Sequence, residues 1–263
     1  MTAPAAPPPA QPAPLPPSSA GPPRPAFAKV LAAEYRLILR SIATPGRLAG
    51  VGSLGAIAVL TAVIRHANSP YHALDAGSGF FNGLLASLIP VAILVFGAAA
   101  LGDLIDDGSL VYLWLRPVPA WVHVAAAWLA TVTIAAPLVL APTILATAII
   151  DASPGLMGGA VLSGLVAVFA YAALFVTAGI RFRRSLPWGI AYILIWEGFI
   201  ARAGKGAAKL AVHTYTSSIL SQETGVHIKL ASLSLPVAVL VPLLVGTAAL
   251  AYACRRIATA DVA

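Results

Sequence analysis

Along the chain, apolar and polar positions alternate in a way that separates a tail, one two-faced segment and six apolar stretches. Between residues 26 and 44, Phe27, Val30, Leu31, Tyr35, Ile38 and Ile42 recur at three- and four-residue steps, with Lys29, Arg36 and Arg40 on other faces. That period marks a helix with a single apolar stripe. Basic residues beside the stripe predict a helix lying along a membrane surface, although a short helix packed on a bundle has the same pattern. Pro45-Gly46 closes it. The apolar stretches then cover residues 48–64, 80–101, 124–150, 156–180, 186–201 and 233–254. A helix needs roughly 20 residues to cross about 30 Å of hydrocarbon. The first and fifth stretches are therefore short, and must borrow flanking residues or run with little tilt. Pro137 and Pro142 in the third remove backbone donors and predict a kink. No internal repeat is visible.

Composition turns these stretches into membrane spans. The chain is 59% hydrophobic and 10% charged, with a mean hydropathy of +0.90, against about 25% charged residues in an ordinary soluble domain. So few charges cannot cover a surface in water, and lipid must be part of the solvent. The expected fold is an all-α membrane protein. An amphipathic interfacial helix at residues 26–46 precedes a domain of six transmembrane helices at 47–256, and 257–263 forms a short tail. Residues 1–25, with runs such as Pro7-Pro8-Pro9, predict a solvated, extended tail rather than a signal peptide. A docking peptide for a proline-recognising partner is the other reading of that tail.

Charge sets the orientation. The net charge of +7 is spread singly or in small groups between apolar runs, which suits anionic headgroups rather than nucleic acid. With the amino terminus in the cytoplasm, the inner segments hold eleven of the sixteen Lys and Arg residues, so both termini are expected to be cytoplasmic. The outer loop 202–232 holds four of the other five; Leu210, Val212, Tyr215, Ile219 and Leu220 predict a short helix resting there at the outer surface. Cys254 is the single cysteine, which excludes an intrachain disulfide.

Candidate chemistry concentrates in the inner loop 102–120. Asp103, Asp106 and Asp107 stand at three- and four-residue spacing, on one side of a helical turn leaving the membrane, and Gly108-Ser109-Leu110, an apolar turn and Arg116-Pro117-Val118 follow. Such carboxylates suit basic groups on a cytosolic partner; an ordinary solvated loop with Arg116 reaching for headgroups has the same composition. The segment resembles the signature after the second helix in permeases of type-2 ATP-binding-cassette (ABC) exporters, which carry an acidic cluster, Gly-Thr, a Leu-rich turn and a Pro-Val or Arg-Pro-Val. The resemblance extends over residues 26–256 in helix number, cytoplasmic termini and a long loop before the last span. It departs at Asp106-Asp107, where the family usually has Glu-Arg or Glu-Lys, and at Pro119-Ala120-Trp121, where a basic residue is common. What it implies is a subunit whose residues Asp103, Asp106, Asp107, Gly108, Arg116 and Pro117 dock a separate ATPase. ATP and magnesium would sit on that partner, and a second permease copy or a sister subunit would complete the path. The setting it implies is a bacterial cytoplasmic membrane.

Motif absences point the same way. No G-x-x-x-x-G-K-[ST] loop occurs in the sequence, so a P-loop nucleotide site is expected elsewhere and the chain is not expected to be an enzyme. His66, His72, His123, His213 and His227 lack paired ligand spacing and read as interfacial or loop residues, with no metal expected. Trp114, Trp121, Trp128 and Trp188 read as interfacial anchors and packing groups. Glu197 is the one ionisable residue well inside an apolar stretch. Either it lines a translocation path or pairs across a subunit interface, or the fifth span is short and Glu197 lies near the outer interface beside Arg202. The expectation is an ABC exporter subunit with a hydrophobic or amphipathic cargo. An ion-gradient carrier and a non-transporting scaffold are the alternatives.

Overall fold

The computed structural model describes residues 27–68, 73–106, 118–182, 184–202 and 204–259, and among these there is no strand. Helix α1 spans Phe27–Ile42 and α2 spans Pro45–Asn68. Pro45 takes the first helical position, where its missing N–H costs nothing, and the Leu48 amide bonds the Thr44 carbonyl at 3.0 Å. Pro45-Gly46 therefore ends one helix by starting the next. Helices α3 (Ala73–Ala86) and α4 (Leu88–Asp106) form one apolar rod stepped at Ser87. Pro90 has no N–H to offer the Ala86 carbonyl, which accounts for the step.

Next come α5 (Ala120–Ala135), a π-turn (Ala136–Leu140) and α6 (Ala141–Ile150). The wider turn lies at Pro137 and just before Pro142, where the helical hydrogen-bond pattern changes as proline predicts, and the helix continues through Ile150. Helix α7 covers Pro154–Arg181 and α11 covers Leu235–Ala258. Among the described residues, five helices are long and apolar enough to cross a membrane: Pro45–Asn68, Leu74–Ile105, Ala120–Ile150, Pro154–Arg181 and Leu235–Ala258. The α3–α4 rod and α7 are 72% buried and pack together at the centre, whereas α2 and α11 are only 22% buried at the periphery.

The centre is held by small residues. Gly97 meets the Phe175 side chain, Gly102 meets Gly179, and a Cβ added at Gly179 would lie 2.8 Å from the Ala98 carbonyl oxygen. Because that obstacle is backbone, it cannot rotate away, and small residues are what let two spans approach this closely. Gly179→Ala is expected to destabilise the protein by about 1–3 kcal/mol, read as a lower melting temperature in detergent; an unchanged melt would contradict this packing.

The fifth apolar stretch differs from expectation. Residues 185–224 make α8 (Ser185–Ala191), a π-helical stretch (Tyr192–Glu197), a 3₁₀ turn (Ile200–Arg202), α9 (Lys205–Ala208) and α10 (Val212–Thr224). None of these is long enough to span alone. Helix α7 acts as a ruler for them. Ser185 lies beside Gly102 near the end of α7, Glu197 bonds Tyr171, and Leu220 and Glu223 lie against Gly159. The 185–197 piece and α10 thus run end to end along α7, whose 28 residues measure about 42 Å.

Helix α10 does not rest on a surface as the sequence suggested. Val212, Thr214, Thr216, Ser217, Ser218, Ile219 and Leu220 are all buried. Its hydroxyls bond their own helix, as in Thr216 to the His213 carbonyl (3.0 Å) and Ser218 to the Thr214 carbonyl (2.7 Å). Satisfied in this way, a polar helix can be buried.

Candidate functional site

Two groups of polar residues break the apolar interior, at different depths. The first lies where α4 leaves the bundle. Arg47, in the first turn of α2, pairs with Asp103 at 2.6 Å, both partly exposed, so the pair is worth little in stability and mainly fixes direction. Asp103, Arg184, Ser185 and Pro187 line a recess of about 200 Å³, and Arg184 holds a left-handed backbone (φ 55°) at the entry to α8. The α4 backbone continues through Asp106, as the acidic spacing predicts. Asp107, Gly108, Arg116 and Pro117 lie outside the described residues.

Near this end, α1 is clipped to α5. Glu34 Oε2 is 2.9 Å from His123 Nδ1, with the two side chains 3% and 5% exposed. Contrary to the interfacial or loop reading of the histidines, His123 is buried. The sequence did carry a signal for its partner: Glu34 stands four residues before Ile38 and eight before Ile42, on the same stripe. Glu34 Oε1 has no hydrogen-bond partner, so the contact is stabilising only as a pair. His123→Ala is expected to cost on the order of 3 kcal/mol, while Glu34→Leu/His123→Leu recovers much of that loss, because removing one partner strands the other. Thermal melts of the single and double variants check this, and additive losses would contradict it.

The second group centres on Glu197, at the break between the π-helical stretch and α10. Tyr171 donates its hydroxyl to Glu197 Oε2. Tyr192 donates to Oε1 at 3.0 Å and the Val212 amide to Oε1 at 3.1 Å, with the His213 amide also facing the carboxylate. The local reason is helix chemistry. Helix α10 begins after Ala211, which has no side chain to cap it, and its first amides need acceptors. Glu197 reaches across fifteen residues of sequence to act as the cap, its oxygen accepting the amide at the start of the helix. Tyr171 lies ten residues from the end of α7, about 15 Å along its axis, so Glu197 sits deep in the bundle and is 3% exposed.

A cavity of about 320 Å³ opens beside this carboxylate, lined by Asn82, His213, Thr214, Ser217 and Lys229 among others. Ser217 donates to Asn82 Oδ1 at 2.7 Å, and His213 Nε2 lies 3.2 Å from Ser217 Oγ. The loop closing the cavity holds Leu230 in a left-handed conformation (φ 70°), a strained choice for a branched side chain.

No family model and no curated protein matches the chain.

Sequence reasoning singled out Glu197 but missed its setting. Tyr171 and Tyr192 sit in apolar runs where an aromatic reads as packing, and Asn82, His213 and Ser217 come from segments 131 to 135 residues apart in sequence. Only the fold brings them together.

Proposed function

We propose that the chain is the membrane-spanning subunit of an ABC transporter of the exporter type, driven by a separate ATPase. It crosses the membrane six times, the fifth crossing being the broken 185–224 segment, and keeps both termini in the cytoplasm of a bacterial cell. Two such subunits, identical or paired with a sister chain, enclose the path; ATP and magnesium belong to the partner, and this chain performs no catalysis. The observation that carries the reading is the construction of α4. It runs from the buried centre to the acidic turn at Asp103, braced there by Arg47 and along its length by α7. A load applied at that turn by a closing ATPase reaches the core as motion of a rigid rod. Site-directed labelling tests the geometry: a cysteine at Ser109, in a Cys254→Ser background, is expected to react with an impermeant maleimide only after the cells are opened. Labelling in intact cells would sink the reading, because the turn would face away from any cytosolic ATPase.

The break at Glu197 favours a second reading, an ion-gradient carrier, since discontinuous helices with termini at mid-depth form the sites of many such proteins. Here, however, the α10 terminus is already occupied by the chain's own carboxylate. Collapsing the ion gradient with an ionophore while ATP is maintained separates the two: flux that stops at once belongs to the carrier.

A further inference from the structure

We propose that the cavity beside Glu197 binds the headgroup of an ethanolamine phospholipid, with the ammonium toward Glu197 and the phosphate toward Lys229 and Asn82. The two ends of the cavity differ chemically. Glu197, a buried lining residue, offers carboxylate oxygens that already accept hydrogen bonds from two tyrosines and the Val212 amide. Among the described lining residues Lys229 supplies an ammonium, exposed at the rim. A cationic donor suits the first end and an anionic group the second, so a ligand that carries both matches the cavity better than one that carries either alone.

Size and lining agree with a headgroup. A volume of about 320 Å³ is near the lower limit of small-molecule sites and corresponds to about 8–9 Å across if round, which admits a headgroup but not acyl chains. Ser217 engages the side-chain carbonyl of Asn82, which leaves the Asn82 NH2 to donate to a phosphate oxygen. Lys229 adds the charged donor for the ligand's anionic end.

The surroundings favour lipid over a soluble ligand of the same chemistry. Phe199 and Leu210, each within three residues of a lining residue, are 77% and 68% exposed. Large apolar side chains bared beside a cavity that holds polar groups among apolar ones suit a molecule whose head enters and whose chains stay outside. Binding itself is independent of the permease reading; only the next step, in which the bound lipid or a lipid-like amphiphile becomes the cargo, rests on it.

The test uses the purified full-length protein in detergent, without an ATPase, and an acyl-labelled phosphatidylethanolamine as fluorescent probe. Unlabelled phosphatidylethanolamine is expected to displace the probe at a concentration at least tenfold lower than phosphatidylglycerol or phosphatidylcholine. Free phosphoethanolamine is expected to need at least a hundredfold more. Lys229→Glu, at an exposed position, is expected to keep the wild-type melt and lose affinity about tenfold. Asn82→Asp, which puts a carboxylate where a phosphate donor is required, is expected to do the same. Equal competition by phosphatidylglycerol, or unchanged affinity in both Lys229→Glu and Asn82→Asp, overturns the site. Free phosphoethanolamine binding as tightly as the lipid overturns the choice of lipid. Because no ATPase is present, failure here leaves the permease reading standing, and loss of the ATPase partner leaves this binding intact.

Discussion

Glu197→Ala is expected to abolish the folded protein at growth temperature, or to leave it with a melting temperature far below wild type. The substitution removes the acceptor for the Tyr171 and Tyr192 hydroxyls and for the Val212 amide at once. A buried donor left without a partner costs about 1–3 kcal/mol, so three of them add to several kcal/mol, comparable with the whole stability of many domains. Glu197→Gln keeps one oxygen acceptor of the same shape and is expected to fold with a smaller loss. The comparison separates hydrogen bonding from charge. If Glu197→Ala melts with the wild type, the carboxylate is not the clasp between the two halves of the broken 185–224 segment.

The second large effect is expected at the acidic turn. If the chain docks a separate ATPase as proposed, reversing charge with Asp106→Lys/Asp107→Lys is expected to leave the protein folded and to reduce that association at least tenfold. Carboxylates that serve a partner rather than the fold contribute little to stability, whereas like charges placed opposite a basic partner surface cost several kcal/mol of binding. Asp103→Lys acts differently, since it also sets two cations against each other at Arg47, and some loss of stability is expected with it. Pull-down of the ATPase, with melting temperature as control, checks both. Unchanged association in Asp106→Lys/Asp107→Lys would make the turn an ordinary solvated loop.

How far the sequence foretold the molecule depends on the range of the interactions. Helices α2, α5–α6, α7 and α11 were legible because a continuous apolar run needs no partner to be recognised, and Pro45, Pro137 and Pro142 mark local backbone chemistry wherever they fall. The 186–201 stretch misled for a physical reason. Hydropathy averages over residues, and a short apolar run broken by one carboxylate looks like a weak span, whereas the chain there folds into short pieces that α10 continues along α7. Helix α10 was disguised by its serines and threonines, which read as surface although hydroxyls such as those of Thr216 and Ser218 are spent on their own helix. The Glu34–His123 pair lay on the stripe of α1 in plain view, but the sequence does not say that a histidine 89 positions away would meet it. Glu197 was singled out because a lone charge in an apolar run is costly; its tyrosine partners were invisible, because a tyrosine in such a run betrays nothing about where its hydroxyl points.

The most direct test of the central claim is to purify the chain from its native host by an affinity tag and identify what comes with it. Stoichiometric recovery of a P-loop ATPase, whose hydrolysis rate changes when this chain is added back in lipid, is the predicted result. A folded, monodisperse protein that brings no ATPase, and that moves its cargo in vesicles without ATP, would contradict it.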